Sequence, residues 1–136
     1  MSDRKLKILY LEDIPDTLET WLAFIRKTWG EECEGARSRE KALRLIADGF
    51  RPDFVIFDRG ILFHEDEEVD DKEAGDSLYY DLVDREIPVV VISGDDLEDV
   101  EPYCSYPPLR FISKPVTEKS LRLAVARYFE WMEEGR

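Results

Sequence analysis

The chain has 136 residues, 43% of them hydrophobic, with 32 acidic against 19 basic side chains and a formal net charge of −13. That length suits one domain spanning 1–136 with an apolar core of its own, and the acid excess repels nucleic acid and anionic membranes at long range, so direct DNA or membrane binding is excluded as the chain's own activity. No apolar run approaches the roughly 18 residues of a membrane span. The short run after the basic start ends in two acids, unlike a signal peptide, and Cys33 and Cys104 lie far apart with no metal-ligand cluster, so a cytoplasmic chain with reduced thiols is expected.

In chain order, Leu6 to Leu11 reads as an apolar strand, and Glu12-Asp13-Ile14-Pro15-Asp16 turns into a helix with Pro15 in its first turn. Leu18, Trp21, Leu22, Ile25 and Trp29 recur at helical spacing. A short strand near Glu32 to Ala36 precedes Ser38, an N-cap for a helix carrying Ala42, Leu43, Ile46 and Ala47, and Gly49 ends it. Phe54 to Asp58 is a buried strand that stops on a carboxylate. The acidic run His64 to Asp76 lacks the periodicity of a packed element and reads as a solvated loop, with a shortened helix around Ser77 to Asp84 after it. No register of the run supplies the alternating oxygen ligands, glycine and glutamate of a calcium loop. Val89 to Ile92 is the next strand. Pro102 interrupts the stretch Asp95 to Tyr106, so a helix there must be short or irregular. Arg110-Phe111-Ile112 is a last short strand, and Thr117 caps a long helix with Leu121, Ala124, Val125, Tyr128 and Met132 on its apolar face.

Continuous apolar strands separated by amphipathic helices indicate a doubly wound α/β fold with a parallel sheet. Ligands of such sheets bind beyond the carboxyl ends of the strands. The first strand ends at Glu12 and Asp13, the third at Asp58, the fourth at Ser93-Gly94 and the fifth just before Lys114-Pro115. Clustered carboxylates repel one another, so a divalent cation is the expected compensation, and an all-oxygen set favours Mg²⁺, with Mn²⁺ as the alternative. A positioned, ionised Asp58 can then attack phosphorus, with Lys114 and Ser93 facing the transferring oxygens and Gly94 leaving space.

Taken in order, these residues resemble the receiver domains of two-component response regulators, the CheY-like superfamily, over nearly the whole chain. The resemblance implies a flavodoxin-like, five-stranded parallel sheet of order 2-1-3-4-5. It also implies phosphorylation of Asp58 by a histidine kinase or histidine phosphotransfer protein, and signalling to an effector protein in trans rather than enzyme catalysis of a separate substrate. Metal ligands would be Asp13, Asp58 and the Gly60 carbonyl, with Glu12 acting through water. Lys114 would contact the phosphoryl group across a cis bond to Pro115, while Ser93 and Phe111 would form the switch. Because the chain ends where the fifth helix of the family should, a stand-alone receiver is expected.

Two features depart from the family. The acidic segment 64–76 reads as an inserted loop beside Asp58, moving the glycine that opens the third helix to Gly75, and the Pro-interrupted stretch 95–106 replaces a regular fourth helix. Gly60 and Asp95 fall where the family tunes phosphate lifetime. A haloacid-dehalogenase-type phosphatase would need a second aspartate at position 60, which is Gly60. The remaining alternative is a degenerate receiver that binds partners without phosphorylation.

Overall fold

The computed structural model describes residues 5–135, and its elements are β1 (Ile8–Leu11), α1 (Pro15–Trp29), β2 (Glu34–Ala36), α2 (Arg39–Ala47), β3 (Phe54–Asp58), α3 (Lys72–Asp84), β4 (Val89–Ser93), β5 (Arg110–Ser113) and α4 (Glu118–Glu133). The strands form one all-parallel sheet of order β2-β1-β3-β4-β5. Strand side chains alternate between two cores. Leu9, Leu11, Val55, Phe57, Val89 and Val91 face one, closed by α2, α3 and the buried Leu97 and Tyr103. Ile8, Tyr10, Phe54, Ile56, Val90, Ile92 and Ile112 face the other, closed by α1 and α4. Burial on both faces is why these strands are continuous apolar runs, and each fully buried Val, Leu, Ile or Phe contributes roughly 1.5–3 kcal/mol.

The helix starts follow local chemistry. Ser38 accepts the Lys41 amide at 3.0 Å and caps α2, and Thr117 and Ser120 form a reciprocal capping box on α4. On α4 the expected apolar face holds at Leu121, Ala124, Val125 and Tyr128, whereas Met132 is exposed near the helix end, beyond the edge of the core.

The segment after β3 differs from its reading as a solvated loop over 64–76. Residues 72–76 belong to α3, which is 13 residues long rather than shortened, because Asp71 accepts the Glu73 amide at 2.8 Å and so caps a helix whose first two residues, Lys72 and Glu73, are charged and exposed. The true connection, 61–71, is tied down at both ends. Ile61 and Leu62 are buried, Leu62 bridges to Ser38, and Ile61 bridges to Asp71. Its acids accept hydrogen bonds: Glu67 Oε1 from the Phe63 and His64 amides at 2.9 and 3.0 Å, and Glu65 Oε1 from the Ser38 hydroxyl at 2.8 Å. Between β4 and β5 no helix forms among the described residues; a series of turns runs through the cis bond Glu101-Pro102.

Gly75 sits in the first turns of α3 against the end of β3. A β-carbon there would lie inside the van der Waals sphere of the Arg59 carbonyl, a backbone atom that cannot turn away. Gly75→Ala should therefore lower stability by about 1–3 kcal/mol, read as a lower urea midpoint with unchanged slope.

Candidate functional site

Every strand end named in the sequence opens onto one side of the sheet. Asp58, Gly60, Ser93, Gly94 and Lys114 line one crevice of about 560 Å³. Glu12, Asp13, Asp58 and Lys114 line the adjoining hollow, so Asp58 and Lys114 form the wall common to both. The pairing of β3 with β4 sets Asp58 beside Ile92. The cis bond Lys114-Pro115 follows β5, and Lys114 Nζ reaches Asp58 Oδ2 at 2.8 Å. The other Asp58 oxygen accepts the Gly60 amide at 3.0 Å. A β-carbon at Gly94 would meet nothing within 4 Å, so the crevice is open on that side.

Asp58 is 4% exposed and Glu12 8%. Burial raises the Asp58 pKa, against the Lys114 hydrogen bond, the Gly60 amide and the Lys114 charge, with Asp13 adding to the rise. Burial likewise pushes Glu12 up to about 7, assisted by its hydrogen bond with Asp13 and the charges of Asp58 and Asp13, and opposed by the Ile14 amide it accepts at 3.1 Å. Burial alone would lower the Lys114 pKa, but its hydrogen bond and charge pairing with Asp58 outweigh that and the net shift is upward. The site is thus a nest of carboxylates short of positive charge.

Its donor set is all oxygen and fits a hard divalent cation. As they stand, however, no three His, Cys, Asp or Glu side chains among the described residues gather closely enough to hold a metal ion. Glu12 is turned to the Ile14 amide, and Lys114 occupies the position beside Asp58.

Ser93 is buried, and its Oγ accepts the Asp95 amide at 2.9 Å. Phe111 is brought to a neighbouring hollow with Ser93 but points outward, 36% exposed, touching the Tyr103 ring edge-on.

The structure adds residues that spacing could not reveal. Asp70, from the connection after β3, enters both hollows, and its Oδ2 lies 2.5 Å from where a Gly60 β-carbon would be. Lys72 pairs with Asp95 at 2.6 Å across the mouth. Tyr10 lies in the apolar run of β1, yet its buried hydroxyl has no hydrogen-bond partner, and its pKa is raised by burial and then by Glu12 and Asp58. The only sequence signal for any of these was the density of acid itself.

No protein-family model and no curated protein matches the sequence. Solved structures do match in fold. The N-terminal domain of a response regulator/sensory box/GGDEF three-domain protein from Carboxydothermus hydrogenoformans aligns at TM-score 0.73 and 23% identity, covering 95% of this chain and 98% of that one. A response regulator receiver domain protein from Clostridium thermocellum aligns at 0.74 and 18%, covering 96% and 99%. The signal receiver domain of an HD domain-containing protein from Pseudomonas fluorescens Pf-5 aligns at 0.75 and 20%, covering 96% and 99%. The all-parallel pairing and the sheet order match the flavodoxin-like receiver fold.

Raised carboxyl pKa values make a pH prediction. Between about pH 4.5, where a free glutamate titrates, and about 7, the native state holds a proton on Glu12 that the unfolded state has released. Stability from this group is full below that window and lost as pH rises through it, and Asp58 acts in the same direction. Without added metal, the thermal midpoint should fall across the window and fall less in Glu12→Gln; parallel curves for the two proteins would contradict the assignment.

Proposed function

We propose that the chain is a phospho-accepting receiver of a two-component phosphorelay, in which Asp58 takes a phosphoryl group from a histidine kinase or histidine phosphotransfer protein. The observation that carries this reading is the 2.8 Å pair between Lys114 and a nearly buried Asp58, in a crevice also lined by Ser93 and open on the Gly94 side. An Asp58 oxygen attacks phosphorus, a new P–O bond forms, and the donor's P–N bond, or P–O bond in a small acyl phosphate, breaks with its electron pair leaving on the donor. Lys114 Nζ moves from the carboxylate to a phosphoryl oxygen, and the Ser93 hydroxyl donates to another. A Mg²⁺ ion held by Asp13, Asp58 and the Gly60 carbonyl, with Glu12 through water, would supply neutralising charge to the phosphoryl oxygens. Attack by water on the acyl phosphate returns Asp58 and free phosphate. Signal output is a changed surface offered to an effector protein in trans, with Ser93 and Phe111 as switch residues. With a net charge of −13, which repels nucleic acid at long range, the partner is a protein rather than DNA.

A second reading, a receiver that binds its partner without phosphorylation, is favoured by Asp70, whose carboxylate already stands against Gly60 in the crevice. One measurement separates the two. The protein is incubated with acetyl phosphate and Mg²⁺, and its intact mass is recorded beside that of Asp58→Asn. An added phosphate in the wild type and none in the variant is the expected result. An unmodified wild type, with no response to beryllofluoride either, supports the binding-only reading.

A further inference from the structure

Arg59, the residue after the acceptor, lines the crevice with Asp58, and its guanidinium is bound from several sides. Its Nε and Nη2 donate to the two oxygens of Asp76 on α3 at 2.9 and 3.0 Å. Its Nη1 lies 3.6 Å from Asp95, and the guanidinium sits 6.0 Å from the centre of the Tyr103 ring. Tyr103 in turn donates its hydroxyl to the same Asp76 at 2.6 Å. Such two-pronged pairs, on a side chain only 14% exposed, are geometrically specific.

Tyr103 is the anchor of the irregular stretch between β4 and β5. It is 1% exposed, packs on Tyr79 at 4.9 Å and meets Phe111 at 6.3 Å. The rest of that stretch is held by turns of its own backbone, by buried Leu97 and Pro102 and by Val100 packed against the core, and by a bond from the Tyr79 hydroxyl to the Tyr106 carbonyl. Arg59 also lines the crevice with Asp58. A single guanidinium therefore touches the acceptor's surroundings at one end and the anchor of a non-helical surface segment at the other.

We infer that Arg59, Asp76 and Tyr103 form a route by which anionic charge gained at Asp58 loosens segment 97–106. The inference rests on the receiver reading above. An acyl phosphate carries about −1.5 to −2 charges where the carboxylate carried one, a net gain of roughly half to one negative charge in the crevice, and its oxygens compete with Asp76 and Asp95 for the guanidinium. Asp76 then loses its counter-ion, the hydroxyl bond and ring contact of Tyr103 lose their support, and the segment opens. Arg59 and Tyr103 are positioning residues in this scheme; they act on the surface, not on the reacting atoms.

Cys104 reports the event. It is exposed within the segment, with its thiol bonded to Glu101, whereas Cys33 is buried. The rate of Cys104 modification by a chromogenic disulfide reagent is measured with and without Mg²⁺ and beryllofluoride, in wild type, Tyr103→Phe and Asp76→Asn. Phosphate uptake from acetyl phosphate is followed in parallel by intact mass. The wild type should label several-fold faster with the mimic, and both variants should take up phosphate while losing that ratio. A purely structural role would change the basal rate but keep the ratio. Uptake with no change in wild-type labelling, or variants that keep the ratio, overturns the inference alone. No uptake and no response to the mimic in the wild type overturns it together with the receiver reading.

Discussion

The rest of the structure is arranged around a carboxylate that the fold nearly removes from water. Asp58 ends a strand whose other four residues are fully buried, and an ion in that position is costly unless paired and hydrogen-bonded. The Lys114 ammonium and the Gly60 amide supply the pairing. Both depend on the topology: the lysine arrives because β5 lies beside β4 and β4 beside β3, and the amide because the chain turns sharply after β3. Glu12 and Asp13 then add negative charge to a site that already holds one buried anion. A centre with this imbalance carries more acid than its one lysine can neutralise.

Around that centre the chain departs most from regular structure. The 61–71 connection folds its own acids back onto backbone amides and the Ser38 hydroxyl, and it delivers Asp70 to the crevice. Across the mouth, Asp95 is shared between Lys72 and Arg59, and its pKa is lowered first by the Lys72 hydrogen bond. Much of the acid in this protein is therefore not a diffuse solvating coat. It caps amides, bridges cations and shapes the approach to Asp58.

How far this could be read beforehand follows from the range of the interactions. β3 was legible to the residue, because a buried parallel strand is a continuous apolar run bounded by Pro52 and Gly60. Ser38 and Thr117 were legible as caps, since capping is settled within a few residues. The converging strand ends were legible once the sheet was taken as parallel. The start of α3 was hidden because Lys72, Glu73 and Asp76 are charged, and charge density was read as loop when Asp71 in fact caps a helix. The Arg59–Asp76–Tyr103 contacts join three distant positions, and nothing local announces them. Phe111 faces outward because the turns after β4 leave its side of β5 only partly covered, a matter of tertiary packing alone.

β5 is one of the two edges of the sheet, and its surroundings limit what can be added to it. It is four residues long, with three of them exposed. Pro108 stands two residues before it and Pro115 two residues after it. Proline has no amide proton, so a foreign strand laid along this edge would find a ladder that fails at both ends, flanked by Arg110 and Lys114. Extension of the sheet by a further strand is therefore disfavoured at this edge, and what β5 offers to solvent is side chains, Phe111 among them.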